Sequence, residues 1–316
     1  KLSGKTTLEV EDSFSRIDYS RNKKNRGDFC LWKYRDNREE PSWPSPFGDG
    51  RPGWHIEDTA ITEKFFGEQY DIHGGARDLI FPHHEAEVTQ MESVSGKKPL
   101  VKYWMHTGFL TINGQKMSKS LNNFVTINTF LERHSVQQLR FWLMKNLWRS
   151  PVDYSESTMM EVRSSLDKVD EFLRKVKLSI KNKSKNKKES LVKVILKSKK
   201  DFYDSLADDF NTPKAFASIF ELIKSVNKVL DSNLINPKDA KEIYKLFEEI
   251  NKIFNIFDFK KIGHLSIPRE VQDLLKQRED FRKSQQWEKS DELRKEIEKY
   301  GYLIDDTKEG PTLRKI

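Results

Sequence analysis

The sequence predicts an α/β region, then an all-α helical bundle, then a small α+β ending of two helices and a hairpin. Three observations carry this. Short apolar runs alternate with Gly- and Pro-rich turn signals over residues 1–125, apolar stripes recur at helical spacing over 126–265, and 266–316 is charged and punctuated by turns. The 316 residues suffice for two or three separate cores.

In the first region, Pro41-Ser42-Trp43-Pro44-Ser45-Pro46 and Asp49-Gly50-Arg51-Pro52-Gly53 are turn signals. Tyr70-Asp71-Ile72-His73 and Leu79-Ile80-Phe81 are brief enough for buried strands, and the segments after them read as helices. In the second region Leu166, Val169, Leu173 and Val176 share one helix face, as do Phe216, Ile219, Phe220 and Ile223, and Ile243, Phe247, Ile250 and Phe254. Thr212-Pro213 predicts an N-cap with Pro at the first helical position. These stripes are bundle core and are assigned no chemistry. The ending predicts two charged helices broken near Ser284–Gln286, and then a hairpin from Tyr302-Leu303-Ile304 to Leu313-Arg314-Lys315-Ile316.

Composition narrows the function classes. With 36% hydrophobic and 34% charged residues, the chain reads as soluble, without the apolar runs of a membrane span. Lys1–Lys23 holds no signal-peptide stretch. The single cysteine, Cys30, excludes an intramolecular disulfide, suits a reducing cytoplasm, and reads as a small buried side chain in an apolar run. A net charge of +8 favours a polyanionic partner. Lys181–Lys188, with five lysines, reads as a solvated loop.

Two strings carry chemistry. Lys116-Met117-Ser118-Lys119-Ser120 follows Thr107-Gly108-Phe109-Leu110 and Asn113-Gly114-Gln115. A loop with two ammonium groups and two hydroxyls can close on a triphosphate and stabilise charge on departing pyrophosphate; a lone K-x-x-K is also read as a surface lysine cluster. The second string runs from Gly53-Trp54-His55-Ile56-Glu57-Asp58 through Asp71-Ile72-His73-Gly74-Gly75-Ala76-Arg77-Asp78 to Phe81-Pro82-His83-His84-Glu85-Ala86-Glu87. Five of the seven histidines fall here or at His106, which suggests a polar cleft. Gly74 and Gly75 allow close backbone approach to a ligand, and Asp78 can accept hydrogen bonds from a ribose. His83 and Glu87 are four apart, so on a helix they are either a pair of metal ligands or decoration of its first turn.

Together these strings resemble the cysteinyl-tRNA synthetases, class I aminoacyl-tRNA synthetases whose mobile loop reads KMSKS. The resemblance continues through Val136-Gln137-Gln138-Leu139-Arg140, Arg149-Ser150-Pro151 and the final hairpin. It implies the C-terminal half of a Rossmann-type catalytic domain (1–125), a helical tRNA-binding bundle (126–265) and an anticodon-binding domain (266–316). It implies activation of cysteine with ATP and Mg2+, transfer to tRNA(Cys), and a cytoplasmic monomer. By motif, Lys116 and Lys119 are catalytic, and Ser118, Lys119, Ser120, His55, Asp78, Gly74 and Gly75 bind ATP or the adenylate. Trp54 lies against the cysteine side chain, His83 and Glu87 occupy two zinc-ligand positions, and Asp58 stands at a third, where an aspartate either ligates zinc through oxygen or leaves the site without metal. Arg282, Trp287, Asp291 and Asp306 read the anticodon; from the residues alone Trp287 is equally a packing residue, and Arg282 and Asp291 a surface ion-pair network.

Three departures stand out. Asp58 occupies a position where many members have a zinc-binding cysteine, and Ala76 replaces the third glycine of a Gly-Gly-Gly string. No HIGH tetrapeptide occurs, so the sequence reads as starting downstream of it. Two other functions fit the same residues: a non-catalytic tRNA-binding protein, or a cysteine-adenylating ligase for a small-molecule acceptor.

Overall fold

The computed structural model describes residues 2–6, 23–25, 27–35, 40–118, 121, 123–181, 190–232, 234–263, 269–307 and 310–315. The chain divides into two compact units, Lys1–Phe257 and Asp258–Ile316.

The first unit opens with β1 (Trp32–Tyr34) antiparallel to β2 (Gly50–Pro52). Gly53 donates its N–H to the Leu31 carbonyl at 2.8 Å and leads into α1 (Trp54–Phe66). Next come β3 (Tyr70–Ala76), α2 (Glu85–Ser95) and β4 (Val101–Thr107). β3 and β4 are parallel, with Tyr70 opposite Val101 and Ala76 opposite Thr107, so the crossover through α2 makes a βαβ unit. Val88 and Met91 of α2 pack on Leu100 and Val101, with Tyr70 and Trp104 alongside.

The strand expected at Leu79–Phe81 is absent. Arg77–Leu79 is a 3-10 turn, and Ile80–His84 is a wider turn in which only Phe81 is extended. Three apolar residues carry too little pattern to separate a strand from a turn of helix, and the residue before Pro82 is driven to extended backbone.

β5 (Leu110–Ile112) and β6 (Gln115–Lys116) form a hairpin, and β7 (Val152–Tyr154) adds parallel to β5. The hairpin turn is Asn113-Gly114 with φ of 50° and 78°, the left-handed pair that suits the twist of a two-residue loop. Two short helices follow, α3 (Ile127–Leu131) and α4 (Val136–Met144). Ser135 and Gln138 close a reciprocal capping box on α4, satisfying N–H groups that its first turn leaves free.

The bundle comprises α5 (Glu156–Ile180), α6 (Val192–Ala207), α7 (Thr212–Asp231) and α8 (Pro237–Phe254). The expected stripes are its core, with Phe220 alone half-buried. The cap of α7 is Asn211, whose side chain accepts from the Lys214 N–H at 3.2 Å, so Thr212 lies one residue inside the helix. An asparagine oxygen competes well for that role. Arg140 on α4 donates to the Phe254 carbonyl at 2.7 Å, occupying an acceptor that the end of α8 leaves open. Lys181 caps α5; residues 182–188 of the lysine-rich stretch lie outside the described residues.

The second unit contains α9 (Phe259–Gly263), α10 (Arg269–Lys283), α11 (Trp287–Lys299) and the antiparallel pair β8 (Tyr302–Thr307) and β9 (Gly310–Lys315). Val271, Ile297, Tyr302, Ile304 and Leu313 are its core. The helices break at Ser284–Gln286 and the strands pair as a hairpin, as expected.

Candidate active site

The first turns of α1, the turn before α2, and the strands β3 and β4 converge on Glu87. Its neighbour at i−4, His83, presents Nε2 to Asp58 Oδ2 at 2.8 Å and to Glu87 Oε1 at 3.6 Å. His83 Nδ1 shares a hydrogen bond of 2.8 Å with His55 Nδ1, one helical turn before Asp58. Trp54 stacks on the His83 ring, centroids 4.2 Å apart and planes within 13°. Trp54 is exposed on its outer side, so an aromatic face lies open beside the Asp58–His83 pair.

The other Glu87 oxygen faces the strands. His73 Nε2 is 3.7 Å from Glu87 Oε2, while His73 Nδ1 meets the Tyr70 hydroxyl at 2.6 Å. His84 Nδ1 meets His106 Nε2 at 2.8 Å. Gly75 lets the His84 ring lie against β3, because a Cβ there would fall 2.6 Å from its Cε1. Two sets of metal-ligating groups result, Asp58–His83–Glu87 and His73–His84–Glu87, each with donor atoms within 4.8 Å of one another.

The electrostatics suit cation binding. Burial, then the Asp58 charge, pushes the Glu87 carboxyl up to about 8, and neither of its buried oxygens has a hydrogen-bond partner. Burial lowers His73, His83 and His106, and takes His84 down to about 3 with help from its imidazole neighbours. These rings are therefore neutral near pH 7, the form that ligates a metal. The histidines lie in a buried polar cluster, with only His73 half-exposed.

The KMSKS stretch begins on β6. Lys116 Nζ lies 3.4 Å from Asp78 Oδ2 and 4.1 Å from the centre of the Phe109 ring, so the fold brings together two residues expected at the nucleotide. Ser118 donates its N–H to Asn123 Oδ1 at 2.9 Å, and Asn123 Nδ2 donates to the Lys116 carbonyl at 3.1 Å. Lys119 and Ser120 lie outside the described residues. Sequence reasoning missed Asn123 and Asp153. Asp153 accepts from the Thr111 hydroxyl at 2.6 Å and the Gly114 N–H at 2.8 Å, holding the hairpin that carries Lys116. An Asn just past the loop was a signal for the first; nothing local marked the second. Cys30 is half-buried with Sγ 3.1 Å from the Trp32 carbonyl, outside this cluster.

Residues 1–164 match the class I (C) tRNA synthetase catalytic domain, 201–259 the DALR domain and 265–314 the cysteinyl-tRNA ligase anticodon binding domain. The cysteine–tRNA ligase of Methanococcus maripaludis is 42% identical over 98% of this chain and 67% of its own length. The chain belongs to the cysteine–tRNA ligase family. That of Carboxydothermus hydrogenoformans is 38% identical over 100% of the chain and 68% of its own, and that of Thermococcus onnurineus 35% over 100% and 67%. The chain thus spans about two thirds of the length of these relatives. The fold is also similar to that of the LeuRS of Agrobacterium radiobacter K84, solved in a ternary complex with tRNA and LeuAMS. That match has a TM-score of 0.52 and 12% identity, covering 68% of this chain and 33% of the other.

In this cysteine–tRNA ligase chain the residues expected at the anticodon lie in the second unit. Trp287 starts α11 with 58% of its surface exposed, and the Arg282 guanidinium sits 6.0 Å from its ring centre. Asp291 is exposed one turn on. Asp306 is engaged by three arginines: Arg278 with two hydrogen bonds of 3.0 Å, Arg282 at 3.1 Å and Arg294 at 3.5 Å. Arg278 and Arg294 were missed. The four-residue spacing of Arg278 and Arg282 on α10 was a signal for the first.

Proposed function

We propose that this chain carries the metal site, the KMSKS loop and the tRNA-binding parts of a cysteine–tRNA ligase that joins cysteine to ATP and passes it to tRNA(Cys), as a cytoplasmic monomer. The observation that carries this reading is the Asp58–His83–Glu87 set beside the open face of Trp54. Both Glu87 oxygens are buried without partners, and His83 keeps its second nitrogen on His55, as a histidine ligand does. The donors therefore fit a zinc ion. When bound there, zinc supplies a centre that binds a substrate thiolate far more strongly than a serine hydroxyl.

The chain's own groups do the rest. Trp54 bounds the cysteine side chain. The cysteine carboxylate attacks the α-phosphate of ATP, displacing pyrophosphate, and Lys116 and Lys119 stabilise the departing charge with Mg2+. Asp78 holds Lys116 in reach. Ser118, Ser120, Gly74 and Gly75 line the phosphates and adenylate, with His55 nearby. The tRNA 3′ hydroxyl then attacks the adenylate carbonyl and releases AMP. Arg282, Trp287 and Asp291 contact the anticodon bases, while Asp306 orients Arg282. A small-molecule acceptor leaves the anticodon binding match without a purpose. Among the described residues no helix is long and apolar enough to cross a membrane.

The test is spectroscopic. With cobalt(II) in the site, cysteine produces a sulfur-to-metal charge-transfer band and serine does not; a spectrum indifferent to cysteine removes the metal reading. Asp58→Cys adds a thiolate to a hard donor set and raises zinc affinity by about tenfold or more, ~1.4 kcal/mol, measured by competition with a chromophoric chelator. Lys119→Ala slows cysteine-dependent ATP–pyrophosphate exchange severely and leaves tRNA affinity unchanged. An unaltered exchange rate takes Lys119 out of the mechanism.

A further inference from the structure

We propose that Asp209, in the turn between α6 and α7, is a positioning residue for the KMSKS hairpin. It clasps Trp148 and Arg149, whose segment seats the strand that leads to Lys116. The inference rests on the role given to Lys116 above and names a residue of the bundle that serves it.

The seat is built of backbone. Gly108 donates to the Trp148 carbonyl at 2.9 Å, Val152 donates to the Phe109 carbonyl at 2.9 Å, and Leu110 pairs with Val152. Every residue from Gly108 to Leu110 is therefore tied to the segment 148–152. Lys116 Nζ in turn lies 4.1 Å from the centre of the Phe109 ring. A shift of that segment is thus carried directly to the Lys116 ammonium.

From the bundle side, one residue grips the segment three times. Asp209 Oδ2 accepts from Arg149 Nε at 2.9 Å and Oδ1 from Arg149 Nη2 at 3.0 Å, while the Asp209 carbonyl accepts from Trp148 Nε1 at 2.9 Å. The Arg149 guanidinium lies 4.0 Å from the centre of the Trp148 ring, so the two donors are packed together. A bidentate pair fixes orientation as well as distance.

Stability alone does not account for this turn. Asp209 and Phe210 take φ of 52° and 53°, two adjacent non-glycine residues in the left-handed region. One left-handed residue suffices to end a helix; here two follow one another. The Arg149 and Asp209 side chains are 52% and 57% exposed, and a pair so exposed contributes little to stability. Strain that is not offset locally is characteristic of places where function needs a fixed geometry. What the turn fixes is a carboxylate and a carbonyl of one residue, both on the seat of the hairpin that carries Lys116.

Trypsin digestion and thermal denaturation of the full chain test this together, because cleavage after Lys116 requires the hairpin to leave its seat. Asp209→Gly relieves the left-handed strain at 209 and removes the carboxylate. Its melting midpoint is expected to equal or exceed that of the unaltered chain, while cleavage after Lys116 speeds up about fivefold or more. Arg149→Gln, which leaves the turn untouched, gives the same acceleration. Asp209→Asn keeps an acceptor and tolerates the left-handed region, so cleavage stays within about twofold of the unaltered rate. A pair that only holds the fold together instead lowers the midpoint in Asp209→Gly and speeds cleavage at all lysines alike. That result overturns the proposal, and so does cleavage after Lys116 at the unaltered rate. Binding of a fluorescent ATP analogue separates the clasp from the functional reading. Binding that weakens in Asp209→Gly and recovers in Asp209→Asn supports both. If the unaltered chain binds no analogue while cleavage responds as expected, the nucleotide role of Lys116 falls and the clasp stands.

Discussion

Asp306→Ala lowers the stability of the second unit by about 3 kcal/mol, because it strands a buried positive charge. The Arg278 side chain is 1% exposed, and its two hydrogen bonds to Asp306 are its bidentate anchor. Removing one partner of a fully buried pair costs ~3–5 kcal/mol, and the 37% exposure of Asp306 together with the contact of Arg278 with Glu279 at 2.7 Å places this case at the lower end. Hydrogen exchange of the full chain reads it: amides of α10 and α11 lose protection while those of the bundle do not. A second variant, Arg278→Met with Asp306→Ala, recovers much of the loss, because no charge is then left buried. Protection in Asp306→Ala equal to that of the unaltered chain sinks the argument.

The pH dependence of the same site follows from its charges. The hydrogen bonds from Arg278 hold the Asp306 carboxyl below its ordinary 3.8, partial burial opposes the shift, and the charges of Arg278, Arg282 and Arg294 reinforce it. A depressed carboxyl contributes stability that is complete above its unfolded value and is lost as pH falls through its folded one. The acid loosening of α10 and α11 therefore sets in below pH 3.8 and disappears in the double variant.

Gly108→Ala destabilises the first unit by about 3 kcal/mol, the upper end of the usual ~1–3 kcal/mol for overpacking. A Cβ at 108 falls 2.2 Å from the Ser150 carbonyl oxygen, 2.3 Å from its carbon and 2.7 Å from Pro151 N. All three are backbone atoms, so no side chain can swing aside. The clash sits where Gly108 donates to the Trp148 carbonyl at 2.9 Å, directly before Leu110 pairs with Val152. Relief requires β5 and β7 to part, which moves the hairpin bearing Lys116 away from Asp78. Thermal denaturation shows the loss, and a melting profile matching that of the unaltered chain overturns it.

Much of the molecule was legible from order along the chain alone. The stripes from Leu166 to Val176 and from Ile243 to Phe254 set their helices because side chains three and four apart share a face whatever surrounds them. The break before Trp287 and the closing hairpin were equally local, resting on the backbone preferences of a few neighbouring residues. His83 and Glu87 were readable as a pair for the same reason.

Distance along the chain hid the rest. Nothing near Glu87 announces that His73 on β3 reaches its second oxygen, or that Tyr70 and His106 fix the rings around it. Arg278 looks like any surface arginine on a charged helix until β8 brings Asp306 across it. The short run at Leu79–Phe81 is a turn in which Pro82 leaves only Phe81 extended, and it leads directly into His83 and His84. Sequence by itself determined the helices, the turns and the motif-bearing segments, since each depends on contacts within a few residues. Only the tertiary structure decided which charges are buried and which lone pairs are left over, because desolvation is set by whatever the rest of the chain packs against a group.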